Sequence, residues 1–257
     1  FAGPEEDLKL TANQQPALVA ASAAAFAAYK EAGGAAPDYG AGHSLGEFSA
    51  HVAAGSLALT NAAQLVRKRG EYMQAAVPAG AGAMAAIMKL EPDAIKQVCE
   101  QTEGVVEIAN LNSPAQTVIS GAAAAVAAAG ETLKEMRGRV IPLNVSAPFH
   151  CSLMQPAARL LAADLETLAF KQPGFTLIPN VTAEVLESTT EIAGLLEQQV
   201  TAPVRWTETI LRLDSLGVTR YIEFGSGKVL TGLVVRIQKD ADTRTVTDTE
   251  SLKEALA

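Results

Sequence analysis

Across 257 residues the chain carries 28 acidic and 20 basic side chains, a net charge of −8 that offers no broad positive field to nucleic acid or anionic lipid. Hydrophobic residues make up 49% and charged residues 19%, which excludes general disorder and supports a sizeable buried core. Two cysteines and three histidines exclude a disulfide framework and a His-rich metal site.

In chain order, Gly3 to Asp7 reads as a polar loop, although a fold of this class is expected to open on a buried strand. Residues 16–33 form an alanine-rich helix with Pro16 at its start and Gly33 past its end. Its apolar stretch, 16–28, is shorter than the about 20 residues of a membrane span. No signal peptide is visible, so a cytoplasmic protein is expected. A short strand candidate from Asp38 leads into Gly42-His43-Ser44-Leu45-Gly46 and a further helix. Residues 61–76 read as an amphipathic helix with Asn61 as its cap.

The pattern changes at Gly80-Ala81-Gly82. Strands are expected at 83–89, 105–109, 117–120 and 139–145, with helices at 92–102 and 122–137 between them. Strand, helix, strand, strand, helix, strand is the ferredoxin-like order. A small subdomain is therefore placed at 79–145, inserted in a large one formed by 1–78 and 146–257. In the large part, helices are expected at 152–170, 190–200 and 204–216, a strand at 220–224, and a helix from Val229. The fold class is α/β with a mostly parallel sheet in the large part.

Gly42-His43-Ser44-Leu45-Gly46 matches G-x-S-x-G, the nucleophile elbow. A sharp strand-to-helix turn exposes the Ser44 hydroxyl at a helix N-terminus and aims the Leu45 N–H at a developing oxyanion. A serine nucleophile needs a base. His43 lies inside the elbow, pointing away from Ser44, and His51 lies farther along the helix, where it packs. His150 follows a strand and precedes a helix, and elimination favours it. The hydrolase order of serine, acid and histidine fits poorly, since Asp93 is the only aspartate between Ser44 and His150. A backbone carbonyl can orient the imidazole instead. Arg69 has the fork that binds a carboxylate two-pronged, but spacing alone leaves it undecided.

Three motifs are dismissed. Gly80-Ala81-Gly82-Ala83-Met84-Ala85 precedes a strand where a dinucleotide site needs a helix. Gly225-Ser226-Gly227-Lys228 lacks both the first glycine and the Ser or Thr of a phosphate loop. Cys151 adjoins His150 in sequence, which seldom makes a spatial pair.

Taken together, GPEEDLKLTANQQPAL, GHSLGEFSA, RKRGEYMQAAVPAGAGAMAAI, NLNSPAQTVISG, PLNVSAPFHCSLMQPA, QQVTAPVRW and EFGSGKVLTGL resemble the malonyl-CoA:acyl-carrier-protein transacylase family of type II fatty-acid synthesis. The resemblance covers essentially the whole chain. It implies an α/β-hydrolase-like core with an inserted ferredoxin-like subdomain. It also implies an acylated Ser44, His150 as its base, and the Gln199 carbonyl as the group that orients His150. Arg69 would pair with the malonyl carboxylate, with Leu45, His43, Met73, Asn112 and Phe149 around the substrate. The implied substrates are malonyl-CoA and acyl carrier protein, with no cofactor, metal, nucleic acid or membrane, and a monomer is expected. Family members open on a strand and a Gly-Gln-Gly-Ser-Gln loop that carries a second oxyanion donor, and the sequence given is expected to start after them. Carrier proteins are acidic, so docking to a chain of net −8 needs a local basic patch. Arg137 and Arg139 are the candidates, with Lys134 and Lys89 behind them.

Other classes share parts of this pattern. A serine thioesterase or esterase would release free acid and would not need Arg69. A catalytically impaired carrier-binding module would never become acylated. A polyketide-synthase-type acyltransferase is the nearest rival, against which the chain shows no linker-like flanks.

Overall fold

A computed structural model describes residues 3–257. The polar run expected as a loop begins helix α1 (Glu5–Lys9), whose first turn carries Glu5, Glu6 and Asp7. Carboxylates there complement the unpaired N–H groups of a helix start, which a loop reading of the composition overlooks. Helix α2 (Thr11–Glu31) starts earlier than Pro16, which sits inside it rather than at its first position. Strand β1 (Tyr39–Gly40) leads through the elbow into α3 (Leu45–Ala53). Helix α4 (Leu59–Ala75) is capped at Ala58, so Asn61 lies within the helix and is not its cap.

Helices α2 and α4 touch at Gly70, where a Cβ would stand 2.7 Å from Ala12 Cα. Only glycine permits that approach, and it brings the neighbouring Arg69 within reach of α2.

The antiparallel sheet has the order β3-β4-β2-β5 and is built from β2 (Gly82–Met88), β3 (Val106–Ser113), β4 (Gln116–Ala122) and β5 (Arg139–Pro142). Helices α5 (Pro92–Gln101) and α6 (Ala123–Glu135) connect them in the ferredoxin-like order. Residues 143–145, expected in the last strand, lie beyond it, and Leu143 and Val145 are exposed. Alternate residues of β2 serve opposite faces, as a strand's period of two requires. Ala85 and Ile87 pack with Ile95, Ile119 and Leu133 under the helices, whereas Met84 and Ala86 pack with Val118 and Phe149 on the other face. Each fully buried side chain such as Ile87 contributes about 1.5–3 kcal/mol.

The long helix expected at 152–170 begins as a 3-10 turn at Ser152–Met154, continues as α7 (Gln155–Leu165) and ends there. It is followed by β6 (Thr176–Leu177), α8 (Ile192–Gln198), α9 (Trp206–Ser215), β7 (Arg220–Phe224), α10 (Val229–Ile237), β8 (Asp242–Val246) and α11 (Thr249–Leu256). The strand pairs β1-β6 and β7-β8 are both parallel. The main core fills the space among α3, α4, α7 and α8, with Phe48, Met73, Leu161 and Leu196 fully buried. The antiparallel sheet meets the rest through β3: Leu111 N–H donates to Val204 O at 2.9 Å, and Val204 N–H to Ala109 O at 2.9 Å. Among the described residues, no helix is long and apolar enough to cross a membrane.

Candidate active site

Ser44 stands between β1 and α3 with φ 51°, a left-handed value that a non-glycine residue adopts only when its surroundings hold it there. Gly42 makes the turn possible, because a Cβ there would lie 2.0 Å from the backbone of Gly46. The Leu45 N–H opens α3, and helix geometry gives it no partner within the helix.

His150 occupies a second left-handed turn, at φ 59°. Its Nδ1 lies 2.8 Å from the carbonyl oxygen of Gln199, the residue that ends α8. A carbonyl only accepts, so Nδ1 carries the proton and Nε2 is the bare nitrogen. The Ser44 hydroxyl therefore donates to Nε2, at 2.8 Å. Burial, then the nearby Arg69 charge, lowers the His150 pKa to about 3 and keeps the imidazole neutral.

Arg69 is only 2% exposed. Its Nη2 donates to Ser44 Oγ at 3.1 Å and to Gln199 Oε1 at 3.0 Å, and its Nη1 donates to Gln15 Oε1 at 2.9 Å. The guanidinium lies over the Phe48 ring, 5.4 Å from its centroid. Burial lowers its pKa to about 10, which leaves it charged at neutral pH. Among the described residues it forms no ion pair, and its Nε has no hydrogen-bond partner. The fold thus holds a buried cation beside a serine hydroxyl, hydrogen-bonded to amides, with the nearby Glu47 carboxyl acting on it through space and not through a hydrogen bond.

Beneath the elbow lies Glu47, buried on α3. Its Oε2 accepts from the Asn180 N–H at 3.0 Å and from Gln199 Nε2 at 2.6 Å, while Oε1 has no partner. Burial raises its pKa to about 7. Neither Glu47, Asn180 nor Gln15 is flagged by sequence patterns. Glu47 carried one usable signal, a lone charge three residues after the serine on an otherwise apolar helix. Asn180 carried none.

The remaining expected residues are placed as follows. His43 points away from Ser44, and its Nε2–H donates to Asn112 Oδ1 at 2.8 Å. His43 also faces the Trp206 ring, 5.8 Å between centroids. His51 is buried and paired with Ser56 Oγ at 2.8 Å. Met73 is a core residue, and Phe149 packs against both the main core and the outer face of the antiparallel sheet. Arg137 and Arg139 are exposed just after α6, while Lys134 pairs with Glu131. Cys151 is buried, and its thiol points to Pro148 O at 3.1 Å. At the dismissed phosphate-loop mimic, Glu223 accepts from the N–H groups of Leu230 and Thr231, so a carboxylate already occupies that helix start.

Two surface hollows of about 180 and 510 Å³ run along residues 172–189 and 179–198, and neither is lined by Ser44, His150 or Arg69. Hydrogen bonds, not cavity size, mark the site. Among the described residues no group of three or more His, Cys, Asp or Glu side chains is arranged to hold a metal ion.

Serine, imidazole and guanidinium converge here as in an enzyme that moves acyl groups, and the acyl transferase domain family matches residues 2–247. The malonyl CoA-acyl carrier protein transacylase of Bacillus subtilis is 47% identical over 260 residues, covering 100% of this chain and 82% of that protein. The Escherichia coli K12 protein of the same description is 44% identical over 238 residues, covering 91% and 77%. Among solved structures, the acyl-carrier-protein S-malonyltransferase of Burkholderia pseudomallei superposes with a TM-score of 0.97 at 44% identity, covering 99% of this chain and 84% of that one. A type II PKS acyl-carrier protein in complex with its malonyl-transacylase gives 0.97 at 44% identity, over 99% and 84%. The chain belongs to the malonyl CoA-acyl carrier protein transacylase family of acyl transferases.

Proposed function

We propose that this chain moves the malonyl group from malonyl-CoA to the phosphopantetheine thiol of acyl carrier protein in fatty-acid biosynthesis. It does so by a ping-pong mechanism through malonyl-Ser44, with no cofactor. The observation that carries the reading is the buried guanidinium of Arg69, 3.1 Å from Ser44 Oγ and hydrogen-bonded to no acid. A buried cation favours an anionic partner, and an acyl group with a free carboxylate supplies one.

His150 Nε2 takes the Ser44 proton as Oγ attacks the thioester carbonyl carbon. The Leu45 N–H faces the oxyanion. The C–S bond breaks, and the coenzyme A sulfur leaves with the proton that His150 returns. The carrier thiol then gives its proton to His150 and attacks the acyl-serine, and Ser44 regains the proton. The Gln199 carbonyl fixes the tautomer and favours the imidazolium that forms in each half-reaction. Neutralising Arg69 with the malonyl carboxylate removes a repulsion that weakens His150 as a base, so the correct acyl group also strengthens the base. Asn112 and Phe149 are the expected residues left to border the acyl group, since His43 turns from Ser44 to Asn112 and Met73 is buried in the main core.

In this proposal residues 79–145 are a small subdomain inserted between 1–78 and 146–257, the carrier docks at Arg137 and Arg139, and the protein is a cytoplasmic monomer.

Intact-protein mass spectrometry after brief exposure to malonyl-CoA tests the proposal. A malonyl adduct absent in Ser44→Ala supports it. Steady release of coenzyme A with no adduct would identify a hydrolase instead.

A further inference from the structure

Ser44 holds a left-handed backbone conformation that is strained for a non-glycine residue. Something outside the elbow must hold it. The Ser44 N–H donates to Asn180 Oδ1 at 2.6 Å, and the Ser44 carbonyl accepts from Gln199 Nε2 at 3.1 Å. Both peptide groups of the nucleophile are thus bound by side chains more than a hundred residues away in sequence. Asn180 also donates from Nδ2 to Gly42 O at 2.6 Å, spanning the turn from one side to the other.

These two amides share one anchor. Glu47 Oε2 accepts from the Asn180 N–H and from Gln199 Nε2. Asn180 is fully buried and every polar group it has is used, its carbonyl accepting from the Arg205 N–H at 3.2 Å. Arg205 steadies the following residues as well, donating to the carbonyls of Val181 and Thr182 at 3.1 and 2.8 Å.

We propose that Glu47 and Asn180 are positioning residues that hold the Ser44 backbone in its left-handed conformation, with Glu47 Oε2 as the hub joining Asn180 to Gln199. Neither touches the acyl group. The proposal rests on the reading of Ser44 as the nucleophile, and it assigns the poise of that hydroxyl to a carboxylate buried beneath it.

The test uses the full chain and two readouts. One is the rate at which a fluorophosphonate labels Ser44, the P–O bond forming as fluoride leaves, which needs no particular acyl substrate. The other is kcat and KM for malonyl transfer. A misplaced reacting group costs about 10²-fold, so Asn180→Leu and Glu47→Leu are expected to slow labelling and kcat by about that much, with KM within about twofold. Glu47→Gln keeps an accepting oxygen and Asn180→Asp keeps an acceptor for the Ser44 N–H, so both are expected to stay within about tenfold of the parent. Where the leucine variants do not fold, Asn180→Ser replaces them; it is too short to reach Gly42 and Ser44 together and carries the same expected loss. Folded variants that label at the parental rate, a loss confined to KM, or conservative variants as slow as the leucine ones would each overturn the assignment. A parent that labels at Ser44 but never becomes malonylated would sink the transferase reading alone, since the labelling rates still decide this one.

Discussion

The guanidinium of Arg69 is buried among two glutamines and a phenyl ring, and none of its hydrogen bonds among the described residues goes to an acid. Truncating one partner of a buried charge pair removes most of the selectivity that pair supplies. Arg69→Ala is therefore expected to lower malonyl transfer by about 10²-fold or more while acetyl transfer holds or rises, read by competing the two thioesters for Ser44. Histidines set a second expectation. His43, His51 and His150 all have lowered pKa values through burial, His51 to about 4 and His150 to about 3 from an ordinary 6.5. The unfolded chain takes up those protons first as pH falls below 6.5, so their contribution is present above that pH and lost as pH falls through each lowered folded-state value, about 4 for His51 and about 3 for His150. Glu47, raised to about 7, acts with the opposite sign: its contribution is present below 4.5 and lost as pH rises to about 7. Three groups outweigh one, and urea midpoints are expected to fall between pH 7 and pH 5. In His51→Gln the slope should shrink by up to about 1.4 kcal/mol per pH unit.

At the scale of the element, the two glycines of G-x-S-x-G are not equivalent. A Cβ on Gly42 would meet the Gly46 backbone at 2.0 Å, whereas a Cβ on Gly46 meets nothing within 4 Å. Gly42→Ala is expected to unfold the elbow and abolish acylation. Gly46→Ala, inside α3, is expected to keep the fold and to raise stability by about 0.5–1 kcal/mol through helix propensity, checked by thermal unfolding. The helix and strand order through 82–142 was legible because each segment repeats its own period. The β8 and α11 segments and the two-residue strand β6 carry too few residues or too little contrast for a period to show, whereas β1 was read as a short strand candidate because it leads into the elbow. Gly42 and Ser44 were legible by motif and His150 by elimination, whereas Arg69 was singled out by the family resemblance and not by its spacing. Asn61 looked like a cap because asparagine favours caps, yet α4 begins two residues before it, at Leu59, and the next residue, Ala62, meets the core.

For the whole molecule, a net charge of −8 sets the terms on which an acidic carrier could approach. Arg137 and Arg139 stand exposed on the antiparallel-sheet side, and a local patch there can steer a partner that the total charge repels. Reversing both, Arg137→Glu with Arg139→Glu, is expected to cut kcat/KM for the carrier half-reaction by about tenfold at low salt and leave acylation by malonyl-CoA unchanged. The difference should shrink at about 1 M salt, where screening reaches only about 3 Å. Equal losses in both half-reactions would place docking elsewhere.

Local pattern was enough to reveal a glycine-bounded serine at a strand-to-helix turn, a histidine left by elimination, and a strand and helix order that closes one antiparallel sheet. Those features depend on neighbours a few residues apart. Tertiary packing was needed to show that Arg69 is buried with amides as its main hydrogen-bond partners and that Asn180 and Glu47 grip the turn, and it sets the Gln199 carbonyl, which the family resemblance had named, 2.8 Å from His150 Nδ1. The reason is distance along the chain. Ser44 lies 136 residues from Asn180 and 155 from Gln199, and such pairings arise from how helices α2, α4 and α8 pack, which no local period encodes.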